Sequence, residues 1–462
     1  MRSVQYLAVI LAIARAVFLP NGVCAKGNVD NWYTEGDLEP AIRVQITLYN
    51  SLDFDRINCP VVIPRFKMPV KDLHEMRIAV VDPLLPPNPE PSREDFLKSG
   101  AQILRKETNG HSIFHQLDDL DKNGLWDELF FQTDIGAHET KTIFLYIGFN
   151  ERGWNRHGTH ANIGSYSHHI VPFWESEYMG WKNWYPIDCD LYGKRKPTLV
   201  AYELYTENID GYLVPFDHGT DIMTVENTFG AGGICLFENP ASPSSVSRPR
   251  FTPAMEREIT DHNFNLGQIT DTRYAYEVIV NGPLRSMVKC KTFHWDSGKG
   301  LYELEQIYTA YNKQSYCTCE VHYTTFLPEN PETMFGCGIR KNEKEYVYYQ
   351  DGGVVITMGD ALIENPDDNM GIQSLHVEFV GTALAVKEKY NPQYQFVEFY
   401  GENHCFNIPF NESFAYEYML FGAWSEGAVL NTTESFKEYV IKTAQEYNHP
   451  IDIKLLSFER KE

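Results

Sequence analysis

Two stretches of the chain concentrate side chains that can move protons and hold sugars. Between His157 and Lys196 stand His157, His160, His168 and His169, interleaved with Trp174, Glu175, Trp181, Trp184, Tyr185, Tyr192 and the basic run Lys194, Arg195 and Lys196. Aromatic faces stack on pyranose rings, while imidazole, carboxylate and ammonium groups fix hydroxyls and acidic substituents. Adjacent histidines also serve as plain surface or core residues, so the density of the cluster, not any one member, points to a site. Further on, Phe216-Asp217-His218-Gly219-Thr220-Asp221 leads into the glycine-rich turn Phe229 to Gly233. His218 and Asp221 have the types needed for general acid–base work, and the same residues also make an ordinary tight turn.

A third group, Phe335 to Lys341, ends a β segment in Arg340 and Lys341 and is followed by Tyr346, Tyr348, Tyr349 and Gln350. It offers two cations beside phenols, or simply solvated charges at a strand end. The run Asp119, Asp121, Asn123, Gly124 and Asp127 places oxygen ligands at alternate positions around a glycine, as a hard Ca2+ ion requires. It departs from an EF-hand in having Phe130 where the bidentate glutamate belongs. The run suits either a structural calcium loop or an acidic hairpin turn. No Gly-x-Ser-x-Gly elbow and no His-Glu-x-x-His motif occurs, which sets aside serine hydrolases and zincins. The glycines around Gly230 do not follow a strand-to-helix pattern, so they do not form a nucleotide-binding loop.

Strands must hold these residues. Ile42 to Leu48, Met76 to Val81 and Thr140 to Tyr146 alternate apolar and polar residues with period two. The same alternation recurs in Leu199 to Tyr205, Arg273 to Val280, Met287 to Phe293, Tyr302 to Tyr308, Cys319 to Phe326 and His376 to Val380. The pattern predicts an all-β protein: an N-terminal β-sandwich over residues 26–150, then a large, supersandwich-like antiparallel β-sandwich over 151–462 that carries the sugar site. Residues 151 to about 165, rich in Gly, Asn and His, suit a linker or a loop lying over a site. One helix is predicted near the C-terminus, from Thr433 to about Tyr447, with Phe436, Tyr439 and Val440 as its apolar stripe and Pro450 as its stop.

At 462 residues, 43% hydrophobic and 14% aromatic, the chain can bury two or three cores. Its formal charge of -23 argues against nucleic acid or an anionic membrane as a generic partner, because both demand a basic footprint. Met1-Arg2-Ser3, the apolar run Val4 to Leu19 and the ending Val23-Cys24-Ala25 have the form of a signal peptide over residues 1–25. Cleavage near Ala25 and a periplasmic or secreted destination are expected. Arg15 and Pro20 interrupt that run and no later segment is apolar enough to span a bilayer, so no membrane insertion is expected. Eight cysteines lie beyond the leader, without zinc-type spacing, and Cys317 and Cys319 fall on one face of a strand as buried free thiols.

Taken together and in order, several runs resemble the bacterial family catalogued as domain of unknown function 4861, found among polysaccharide-breakdown proteins. They are Leu48 to Arg56, Asp119 to Phe131, Trp174 to Glu177, Leu191 to Gly193, His218 to Asp221 with Gly230 to Gly233, Gly336 to Lys341, and Phe421 to Trp424. The family pattern commonly carries an arginine two residues before the Tyr-Gly step, where this chain has Asp190. The resemblance implies action on plant or algal oligosaccharides, by dehydration of uronic sugars as in ulvan breakdown, with no cofactor required and an acidic oligosaccharide as substrate.

The corresponding chemistry is β-elimination at a non-reducing-end uronic acid. A base removes the C5 proton, a cation neutralises the carboxylate, and an acid assists the group leaving C4. On that reaction His218 or His168 is the base, Tyr185 or Tyr192 the acid, Arg340 or Lys194 the carboxylate clamp and Trp174 the stacking platform. His169, Glu175 and Asp221 complete the expected substrate contacts. Loss of water makes a dehydratase and loss of a sugar a polysaccharide lyase. The same residue types also suit a glycoside hydrolase built on Glu175 and Asp221, a sugar epimerase, or a non-catalytic sugar-binding protein.

Overall fold

The computed structural model describes residues 32, 39–68, 78–85, 111–149, 156–165, 170–184, 188–201, 217–223, 225, 228–239, 241–242, 246–249, 272–363, 374–398 and 401–461. The expected signal peptide lies outside the described residues, as do His168, His169 and Tyr185. The described chain is all-β with one C-terminal α-helix, as the alternation predicts.

Ile42, Val44, Ile46 and Leu48 alternate along the first strand, Glu39–Tyr49, and all four are buried. They face Val61 and Ile63 of Arg56–Pro64 and Leu129 and Phe131 of Glu128–Ile135 in one hydrophobic cluster. A five-stranded and a three-stranded antiparallel sheet thus form the N-terminal sandwich. The strand Asp452–Arg460, expected to lie with the large second unit, pairs instead with the first strand, from Ile42 opposite Arg460 to Tyr49 opposite Asp452. Period two states which face of a strand is buried but not which strand lies beside it.

The large sandwich is built on an eight-stranded antiparallel sheet. Along its strand Ala415–Trp424, Tyr416, Tyr418 and Leu420 enter one core, while Met419, Phe421 and Ala423 enter another. Two five-stranded sheets cover the first face, and their apolar side chains share a single core with it. Cys317 and Cys319 lie in that core, and all eight described cysteines are buried and unpaired.

The helix Thr433–Asn448 covers the opposite face, burying Phe436, Val440 and Ala444 at four-residue spacing. Its cap is Thr432, whose hydroxyl accepts the Ser435 N–H at 3.1 Å while Ser435 Oγ accepts the Thr432 N–H at 3.3 Å. Among the described residues no helix is long and apolar enough to cross a membrane.

Candidate functional site

Apart from the acidic loop, most of the predicted site residues that are described fall on one sheet of five strands. Thr159–Ser165, Ile170–Ser176, Met179–Trp184, Asp188–Lys194 and Gly219–Asp221 lie side by side in that order. Period two divides their side chains cleanly. Ala161, Trp174, Met179, Trp181, Cys189 and Leu191 enter the large core. On the other face stand His160, Glu175, Lys182, Asp188, Asp190, Tyr192, Lys194 and Asp221, tied by the register His160–Glu175, Lys182–Asp190 and Tyr192–Asp221.

This division corrects several expectations. Trp174 is fully buried and its indole stacks on Tyr308 at 4.4 Å between centroids, so it is core and offers no face to a sugar. Its neighbour Glu175 necessarily points the opposite way. Glu175 is also fully buried and accepts from Lys194 Nζ, from Val200 N at 2.9 Å and from Ala201 N at 2.8 Å, with His160 Nδ1 3.6 Å away. Burial pushes its carboxyl up, but Lys194, His160 and the amides outweigh that and hold it below the usual range.

Lys194 is equally sealed. Besides Glu175 its ammonium donates to Ser176 O at 2.5 Å and Thr198 O at 2.8 Å, which uses all three protons. Burial pulls its pKa down, and Glu175 opposes that. Lys194 is therefore a structural cation that pins residues 198–201 to the sheet, not a clamp for a substrate carboxylate.

Beside this pair lies an unequal one. Lys182 Nζ is 2.6 Å from Asp221 Oδ2 and 3.2 Å from Asp190 Oδ2, and the ammonium is nearly fully buried. Burial works against its charge, yet the two carboxylates raise its pKa. Burial first, and then the charge of Asp221, pushes Asp190 up to about 8, against the pull of Lys182. Asp190 thus keeps its proton at neutral pH. The cation beside this carboxyl comes from the neighbouring strand.

Tyr192 is fully buried against Phe173, Val200 and Ala201, which removes it as a direct acid toward substrate. The His218 ring lies 23° from parallel to the Tyr192 ring, with centroids 6.3 Å apart. His218 is half-buried and Asp221 partly exposed, so these two form the accessible edge of the charged face.

The glycine-rich turn after it has a backbone task. Ala231 N donates to Cys189 O at 2.7 Å and Cys189 N to Gly232 O at 3.0 Å, which fastens the turn to the sheet. Gly230 has φ +56°, and a Cβ there would meet Cys189 O at 2.2 Å. Arg248 closes this end by pairing with buried Asp188 and lying 4.2 Å over the ring of Phe229.

Arg340 is not on this face. It ends the strand Met334–Arg340 of another sheet and pairs with exposed Glu343. The acidic loop belongs to the N-terminal sandwich. There one carboxylate oxygen each from Asp119, Asp121 and Asp127 lies within 4.8 Å of the others, a set that could hold a hard cation. Asn123 donates to Asp121 at 2.8 Å, and Leu120 N donates to Asp127 at 2.7 Å. Two open surface concavities, of about 550 and 370 Å³, are lined by residues such as Arg65 and Phe66 and by residues such as Lys387 and Tyr447. Neither is lined by residues of the charged face, whose described side chains are tied together by buried ion pairs.

Lys182, Asp188 and Arg248 are missing from the residues picked out by type and spacing. The alternation Asp188, Asp190, Tyr192, Lys194 along a single strand is the signal that could have found this face.

The chain resembles two solved structures from Enterococcus faecalis at 8% identity and a TM-score of 0.42: an alpha-mannosidase, and a protein in the glycosyl hydrolase family 38. The match covers 91% and 90% of this chain and 46% and 47% of theirs, so the chain spans about half their length. No curated protein matches it by sequence. A family model does match, over residues 48–453, and the chain belongs to that family, the domain of unknown function DUF4861.

Proposed function

We propose that this protein acts on uronic-acid-containing oligosaccharides by β-elimination, with loss of water from a non-reducing-end uronic acid as the primary reaction. The observation that supports this reading is the Asp190–Lys182–Asp221 group beside Tyr192 and His218. Elimination needs a proton for the group leaving C4, positive charge near the developing enolate and a base for the C5 proton. The proton kept by Asp190, beside the Lys182 ammonium that also holds Asp221, meets the first need, that ammonium the second and the His218 imidazole the third. Asp221 and His218, at the accessible edge, face the substrate, while Asp190 and Lys182 act through Asp221.

A hydrolase built on Glu175 and Asp221 is less well supported, because Glu175 is sealed and saturated. Export to the periplasm or the exterior, carried by the N-terminal leader, agrees with a polysaccharide substrate. We assign a structural role to any Ca2+ held by the acidic loop, whose ends Asp118 and Glu128 both bind Arg285 at 2.6 Å.

The test is incubation with uronic-acid oligosaccharides, following the ultraviolet absorbance of a new C4=C5 double bond together with product mass. Absorbance with a mass loss of one water is the expected result. Absorbance with chain scission identifies a lyase. Scission without absorbance refutes elimination, as does the absence of any product across a broad uronate panel.

A further inference from the structure

A second set of proton-handling side chains lies between the other two sheets of the large sandwich. Within one sheet, the strand Asn403–Ile408 runs between Met334–Arg340 and Gln393–Val397, and His404 stands opposite Ile339 and Phe396. Tyr394 Oη is 2.8 Å from His404 Nδ1, and His404 Nε2 is 3.0 Å from Glu345 Oε2. Thr357 Oγ1 donates to the same carboxylate oxygen at 2.5 Å. Glu345 belongs to Glu345–Asp351 of the eight-stranded sheet, so the bonds span both layers. A carboxylate only accepts, so Nε2 carries the imidazole proton toward Glu345 while Nδ1 accepts the Tyr394 O–H. This is the order that acid–base chemistry uses: a carboxylate orients the imidazole and the imidazole is base to the phenol. Burial holds His404 below its usual range in spite of Glu345, which keeps the ring neutral.

A core histidine satisfied on both nitrogens has no need of further features, yet this one has them. The imidazole is 3% exposed, but the Tyr348 ring stacked on it at 5.1 Å is 46% exposed. The register break between Glu345 and Val347 lets Glu345 and Tyr348 both reach the same imidazole. Lys341 Nζ lies 5.9 Å from the Phe396 ring and pairs with Glu402 at 3.0 Å, while Arg340 pairs with Glu343. Glu402 and Glu343 are both exposed, so these ion pairs are weak and exchangeable. In a chain of net charge -23, two neighbouring cations by the partly exposed Phe396 ring, which packs on His404 as Tyr348 does, suit a carboxylate-bearing cyclic ligand.

We propose that Tyr394, His404 and Glu345, with Tyr348 and Lys341, form a second acid–base site, which takes a carboxylated sugar with its ring over Tyr348 and its carboxylate on Lys341 in place of Glu402. Tyr394 passes its phenolic proton to His404 Nδ1 as its oxygen accepts one from the ligand, and Glu345 stabilises the imidazolium. The reverse transfer restores both groups. The site stands independently of elimination at the charged sheet.

The test is a nuclear magnetic resonance titration of the full, isotope-labelled chain with D-glucuronate, and with glucose as the neutral control. The His404 imidazole signal, assigned by its loss in His404→Gln, moves with glucuronate and not with glucose. Lys341→Met, at a partly exposed position, and Tyr348→Ala, at an exposed one, each raise the concentration at half-shift by about tenfold. A His404 signal unmoved by glucuronate overturns the proposal, and so does a midpoint unchanged in both variants. A shift at His404 without unsaturated product leaves this site standing while the elimination reading falls, and product without a shift does the reverse.

Discussion

Asp190→Asn probes the proton on Asp190 directly, because asparagine has the shape of the protonated acid and never ionises. The native carboxyl is pushed up to about 8, against an ordinary value of 3.8. Between these values the folded chain keeps a proton that the unfolded chain has released. The unfolded state then binds fewer protons, so stability falls as pH rises, by about 1.4 kcal/mol for each pH unit. From about pH 6 to about pH 8 the wild type therefore loses on the order of 2 kcal/mol that the variant keeps, with the slope flattening as the native carboxyl begins to ionise. Urea unfolding of both proteins at the two pH values measures this difference. The variant is expected to gain on the wild type toward alkaline pH and to lose elimination activity by about 10²-fold or more. Parallel stability profiles for the two proteins would show that Asp190 is ionised throughout and would refute its retained proton.

Lys194→Met should cost about 3–5 kcal/mol, because it leaves Glu175 charged and buried with only amides and an imidazole around it. The double variant with Glu175→Gln should recover part of that loss in the same urea assay, and a single-variant cost below about 1 kcal/mol contradicts the account. Millimolar Ca2+ should raise the melting temperature of the wild type and leave Asp119→Ala unmoved, whereas equal responses in scanning calorimetry rule out the acidic loop. Gly230→Ala should cost more than about 2 kcal/mol, since it combines a left-handed backbone with a Cβ driven into Cys189 O.

Alternation makes strands such as Ile42 to Leu48 legible, because period two is a local property and each strand buries one face; it fails at Thr159–Ser165, which reads as a linker yet is a strand, and at Leu199 to Tyr205, whose described residues 199–201 lie in no strand. Ile42 to Leu48, Cys317 with Cys319, and the helical stripe of Phe436 and Val440 all lie as their spacing demands. The return of Asp452–Arg460 to the first strand depends on which edge is open after everything else has folded, and no local pattern encodes that. The site was less legible for two physical reasons. Trp174 and Glu175 are both sugar-binding types, but neighbours on a strand point to opposite faces, so density along the chain overstated what converges in space. His404 stands alone in its strand, and its partners Tyr394 and Glu345 are 10 and 59 residues away. Such pairs become neighbours only through sheet pairing and layering.

The charged face can also be understood by counting. Among its buried groups and their direct partners, Lys182, Lys194 and Arg248 supply three cations, and Glu175, Asp188, Asp190 and Asp221 supply four carboxyls. Among the described residues Glu175 pairs with Lys194 and Asp188 with Arg248, and the imbalance falls on Lys182 and its two acids. An uncompensated charge in a sealed layer costs several kcal/mol, whereas a proton bound at neutral pH from a group shifted to about 8 costs almost nothing. The face is therefore stable because one carboxyl is neutral. That same proton lies one shared ammonium away from Asp221, at the outer edge of the face beside His218.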